Sequence, residues 1–130
     1  MAIKQFTDLI AWQKSYELAL TIYRETEHFP KYEQYGLTSQ VRRAAVSVCS
    51  NIAEGFGRSG RKEKDYFYNM AAGSLSEVEN QILVAKGIFY LTEELCTQLM
   101  DQCVQAHKVL AGLQKANRMK GHGAVLDSRI

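Results

Sequence analysis

A single proline, three cysteines and the lack of any long apolar run bound what this 130-residue chain can be. The lone proline, at position 30, leaves long stretches free of the residue that breaks helices. Cys49, Cys96 and Cys103 are odd in number and scattered, without the paired C-x-x-C spacing of a zinc or redox site, so they read as reduced core fillers. No stretch approaches the roughly 20 apolar residues of a membrane span. The opening MAIKQFTDLIAWQK lacks the apolar run and small-residue cleavage site of a signal peptide. These absences predict a cytoplasmic protein with no membrane partner. A net charge of +2 is too small to establish a polyanion partner, so the placement of charge has to decide.

What is present is helical periodicity. With 46% hydrophobic residues the chain is long enough to bury a substantial core without metal or disulfide. The first helix is predicted to start at Thr7 or Asp8, either of which can cap free N–H groups, and to reach about His28. Its expected buried face is Leu9, Trp12, Tyr16, Ala19, Leu20 and Tyr23. The second runs from about Leu37 to Phe56 on a stripe of Leu37, Val41, Ala44, Val48 and Ile52, and Gly55, Gly57 and Gly60 end it. The third spans about Arg61 to Phe89, burying Phe67, Met70, Ala71, Ser74, Val78, Ile82 and Ala85. Thr92 caps the fourth, whose stripe is Leu95, Leu99, Cys103, Ala106, Leu110 and Leu113, ending near Arg118. Short connections force neighbouring helices to run in opposite directions. The fold class is therefore all-α, an antiparallel up-down-up-down four-helix bundle over 1–120, with a flexible C-terminal tail at 121–130.

Polar residues interrupt this pattern in QVRRAAVSVCSNIAEGFGR, Gln40 to Arg58. Asn51 and Glu54 lie beside the second helix's stripe, and the short loop should bring them toward Ser74 and Glu77. A buried carboxylate needs a partner, for which Arg42 or Arg43 is the natural neighbour. These six residues are expected to form a structural polar network fixing register or a subunit contact.

The expected topology also sorts charge. One end collects Lys4, Arg58, Arg61, Lys62, Lys64, Lys115, Arg118 and Lys120, against Asp8, Glu63 and Asp65. The other collects Glu25, Glu27, Glu33, Glu93 and Glu94, against Arg24, Lys31 and His28. Arg61, Lys62 and Lys64 fall in the first turn of the third helix, where positive charge opposes the helix dipole. That end is either an ordinary solvated surface or a contact for phosphate, and Arg58, Arg61, Lys62, Lys64, Lys115, Arg118 and Lys120 are its candidate nucleic-acid-binding residues.

Catalytic and metal chemistry find little support. A di-iron bundle needs Glu-x-x-His on two helices, and only Glu25 with His28 has that spacing; His107 has Val104 where its glutamate should be. Cys49 sits mid-helix in apolar surroundings that raise a thiol pKa. The glycines after the second helix follow no strand and precede no P-loop lysine pattern. No catalytic residue, metal or cofactor is predicted. Tyr66, Phe67 and Tyr68 are consecutive and cannot all face one core, so at least one must point outward. With Trp12, Tyr16 and Tyr23, they favour a subunit interface over base stacking.

RRAAVSVCSNIAEGFGR, Arg42 to Arg58, followed by AAGSLSEVENQ, Ala71 to Gln81, resembles the four-helix-bundle or 23S rRNA-intervening-sequence protein family. DLIAWQKSYELALTIYRETEHFP and YGLTSQ look like it too, and the likeness covers about residues 6 to 118. The resemblance implies a ring-like homopentamer. It also implies similarity to the accessory variability protein of diversity-generating retroelements, a basic pentamer associated with nucleic acid and a reverse transcriptase. The expectation is a non-enzymatic homo-oligomer that binds RNA or DNA non-specifically through the basic end of a ring. The alternative is a scaffold recruiting a partner protein such as a polymerase or reverse transcriptase.

Overall fold

The computed structural model describes residues 2–119, so Lys120 and the tail expected at 121–130 lie outside the described residues. Four α-helices dominate, with no strand among the described residues: α1 Ile10–Glu25, α2 Leu37–Phe56, α3 Arg61–Gly87 and α4 Glu93–Met119. Each packs on two others, α1 against α2 and α4, α3 against α2 and α4.

Helix α1 starts later than expected. The Asp8 carboxylate accepts the backbone N–H groups of Lys4 at 2.9 Å and Gln5 at 3.1 Å, organising a 3-10 turn at Phe6–Asp8. Those bonds hold its pKa below the ordinary value and leave Leu9, with no side-chain cap, at the start of α1. The other end is also shorter, because the Thr26 hydroxyl donates to the Ile22 carbonyl at 2.7 Å and the chain tightens into a 3-10 turn at Thr26–His28.

The buried face of α1 is a correction. Leu9 and Ala19 are buried as expected, but the other core positions are Ala11, Ser15, Leu18, Thr21 and Ile22, while Tyr16, Leu20 and Tyr23 are exposed and Trp12 is half-buried. The helix carries two apolar stripes, and the one with smaller residues faces inward, where Ser15 satisfies its hydroxyl on the Ala11 carbonyl at 2.8 Å. The aromatic stripe is left outside.

Helix α2 follows its sequence pattern: Val41, Ala44, Val48 and Ile52 are buried and Leu37 is half-buried. Its first turn is capped by Glu33, whose Oε1 accepts the Leu37 N–H at 3.0 Å and whose Oε2 accepts the Tyr90 hydroxyl at 2.8 Å. A Cβ on Gly36 would stand 2.6 Å from that Oε1, so glycine leaves the carboxylate its path. The Leu37 bond first, then the Tyr90 bond, hold the Glu33 pKa below the ordinary 4.5. A depressed folded pKa means that this stabilisation is complete above the unfolded value and is lost as pH falls through the folded one. The difference in urea midpoint between wild type and Glu33→Ala should therefore shrink as pH is taken below that ordinary value.

In α3 the inward residues are Tyr68, Ala71, Leu75, Val78, Ile82 and Ala85. Phe67 and Ser74 are only half-buried and Met70 is exposed, because the stripe passes through Tyr68 and Leu75 instead. Of the three consecutive aromatics, Tyr66 points outward at 59% exposure and Tyr68 inward at 2%. Helix α3 stops at Gly87, short of Phe89, where the Phe89 N–H bonds the Lys86 carbonyl at 3.0 Å and the Tyr90 N–H bonds that of Ala85 at 2.9 Å. This is a Schellman stop.

Thr92 caps α4 through its hydroxyl, which accepts the Leu95 N–H at 3.1 Å. Thr92→Ala should cost about 1 kcal/mol, seen as a lower urea midpoint at unchanged slope. Leu99, Cys103, Ala106, Leu110 and Leu113 are buried, and Leu95 is half-buried.

Candidate nucleic-acid interface

Contacts between α3 and α4 run in falling register. Arg61 reaches Arg118, Asn69 meets Gln114 at 2.8 Å, Glu79 meets His107 at 2.6 Å, and Lys86 meets Glu93 at 3.5 Å. The start of α3 therefore lies beside the end of α4. There the Arg61 Nη1 donates to the Arg118 carbonyl at 3.1 Å, and the buried Asn117 amide donates to the Arg61 carbonyl at 3.0 Å.

Much of the positive charge gathered here has internal work. Arg58 pairs with Glu54 at 3.1 Å and Glu63 at 3.8 Å, and its guanidinium lies 4.7 Å from the centre of the Phe67 ring. Arg118 stands 3.4 Å from Asp65. The Lys64 ammonium donates to the Phe56 carbonyl at 2.6 Å and the Gly55 carbonyl at 3.3 Å. A cation that opposes the dipole of its own helix thus complements the C-terminus of α2, which has no basic residue in its last turn.

Lys62 and Lys115 are exposed and form no ion pair among the described residues. Arg61 uses its side chain on a neutral carbonyl and keeps its charge. The N-terminus of α3 has no side-chain cap at Gly60. Of the candidate residues that are described, Arg61, Lys62 and Lys115 are thus the ones open to an external anion. Lys120 lies outside the described residues.

The expected polar network divides. Ser74 bonds Ser47 hydroxyl to hydroxyl at 2.9 Å, and Asn51 donates to the Ser47 hydroxyl at 3.0 Å and the Ser47 carbonyl at 2.9 Å. Ser47 is the hub, one helical turn before Asn51 and outside the six expected residues. Arg42 points elsewhere, to the Thr26 hydroxyl at 2.8 Å, the Tyr23 carbonyl at 3.1 Å and Glu27 at 3.7 Å, tying α2 to the end of α1. Glu54 is taken by Arg58. Arg43 and Glu77 are exposed at the rim of an open groove of about 390 Å³ whose lining includes Ser47 and Ser74.

The cysteines are free and buried. Burial pushes the Cys49 thiol up, and burial, then Glu79 and Cys96, push Cys103 up to about 12, so neither is a ready nucleophile. No cluster of three or more His, Cys, Asp or Glu that could hold a metal occurs among the described residues. No helix among them is long and apolar enough to cross a membrane.

Comparison with known proteins adds a family and a fold. The model of the 23S rRNA-intervening sequence protein family matches residues 7–112. Among solved structures, a protein of unknown function from the S23 ribosomal protein family of Bacteroides thetaiotaomicron is similar, with a TM-score of 0.72 and 21% identity, covering 81% of this chain and 98% of that one. That likeness carries the fold alone. No curated protein matches the chain.

Proposed function

Because this chain belongs to the 23S rRNA-intervening sequence protein family, we propose that it is a non-enzymatic, cytoplasmic, up-down-up-down bundle that assembles into a cyclic homo-oligomer and binds nucleic acid through its basic end. The observation that carries this is the bond from Arg61 to the Arg118 carbonyl, which joins cation-rich segments 57 positions apart. The falling register of the α3–α4 contacts supports the antiparallel arrangement. The outward stripe of α1 supports the ring: Trp12 and Tyr16 stack with centroids 4.8 Å apart, and Leu20 and Tyr23 continue the same exposed apolar line. An apolar stripe left partly in water suits a subunit contact.

In a ring of parallel subunits, a homopentamer by the resemblance, every basic end lies on one face. Three open cations per chain then become a continuous positive rim. Such a rim holds phosphates and not base edges, so it should accept RNA and DNA of unrelated sequence with an affinity that falls steeply with salt. A gel-shift titration across ionic strength, paired with light scattering, tests this. Absence of binding at the lowest salt, or a monomeric mass, refutes it.

A further inference from the structure

At the end away from Arg61 and Arg118, the loops before α2 and before α4 are clasped together. The Tyr32 and Tyr90 hydroxyls lie 3.1 Å apart, Tyr90 donates to Glu33, and the Tyr90 ring packs 5.2 Å from Phe29. The clasp holds Tyr32, 79% exposed, by its hydroxyl, and in the same two loops Tyr35 is 91% and Phe89 92% exposed. Phe89 has φ 67°, in the left-handed region that glycine adopts without steric cost, and at the position after a helix where glycine is favoured. Its side chain buries almost nothing in its own chain, so neither backbone nor core packing accounts for it.

We infer that this end is a docking surface for an arginine- or lysine-bearing segment of a partner protein. Glu33 beside these rings receives only neutral donors, the Leu37 N–H and the Tyr90 O–H, so its negative charge is uncompensated by those bonds. Glu94 likewise has no ion-pair partner among the described residues. Aromatic faces next to a fixed carboxylate complement a guanidinium or ammonium group, by cation–π attraction and ion pairing together. Because hydroxyl bonds already hold Tyr32, little side-chain freedom is lost on binding. Neighbouring apolar side chains of the segment would cover Phe89 and the half-exposed Ile88. This surface lies at the opposite ends of α3 and α4 from Arg61 and Arg118, so it is separate from the basic end.

The test is selection of a phage-displayed random dodecapeptide library on the immobilised full-length protein, followed by anisotropy titrations of the enriched peptides. The expected winners combine Arg or Lys with apolar residues. Their affinity should fall at least tenfold for Phe89→Gly and for Tyr35→Ser, and stay unchanged for Lys62→Glu/Lys115→Glu. Phe89→Gly should also raise the thermal midpoint, which separates lost docking from lost folding. Failure to enrich peptides, enrichment of peptides without basic residues, or equal affinity for Phe89→Gly overturns the inference. So does a fall in light-scattering mass on Phe89→Gly, since a second copy would then be the occupant, or displacement of the peptide by an oligonucleotide.

Discussion

Replacing Tyr68 with alanine should lower the unfolding free energy by about 3–5 kcal/mol, as for other large buried aromatics. The ring is 2% exposed and lies against the backbone of α2, where a Cβ on Gly55 would come within 2.7 Å of Tyr68 Cε1 and 3.0 Å of Phe67 Cβ. Glycine at 55 therefore exists for close approach of the two helices. Gly55→Ala sets two effects against each other, a helix-propensity gain of about 1 kcal/mol and an overpacking cost of about 1–3 kcal/mol. Contact with a fully buried ring makes the second larger, so Gly55→Ala should destabilise. Once Tyr68→Ala has removed the ring, the same methyl should cost less, because only the Phe67 Cβ is left to give way. Urea midpoints for the two single variants, the double variant and wild type form the cycle that checks this, and simple additivity would contradict the packing argument. The contact also bears on the site, since Lys64 bonds the Gly55 and Phe56 carbonyls next to it.

Helix α2 was legible from sequence because it has one apolar stripe and glycines at both borders, leaving periodicity a single solution. In helix α1 two stripes compete. Local spacing favours the larger residues Trp12, Tyr16 and Tyr23, but close packing of α1 against α2 and α4 selects Ala11, Ser15 and Leu18. Tyr66 to Tyr68 posed the same problem in miniature: that one must face outward was legible, which one was not. For the candidate interface, the grouping of cations follows from helix order, but their pairing does not. Glu54 and Arg58 stand at a helical i, i+4 spacing, whereas the carbonyl partners of Lys64 lie in another helix and belong to the backbone. Phe89 could not be anticipated, since the left-handed position of a Schellman stop is one where glycine is favoured, and a bulky residue there gives no local signature.

Reversing Lys62 and Lys115 together should remove nucleic-acid binding at moderate salt while leaving the fold intact. Both side chains are exposed and form no ion pair among the described residues, so the stability change should stay within about 0.5 kcal/mol. Each lysine in contact with a duplex phosphate releases close to one counterion, so losing both should reduce the slope of log affinity against log salt by about 2 for every engaged subunit. Across several subunits this amounts to a loss on the order of 100-fold or more near 0.1 M salt. Arg58→Gln supplies the contrast. Its guanidinium is held by Glu54, Glu63 and the Phe67 ring, so substitution should lower stability and leave the salt slope close to wild type. A double lysine reversal that binds with an unchanged slope would move the phosphate contact away from this end of the bundle. An Arg58 variant that loses slope as steeply as the lysine pair would mean that its carboxylate partners release it on binding.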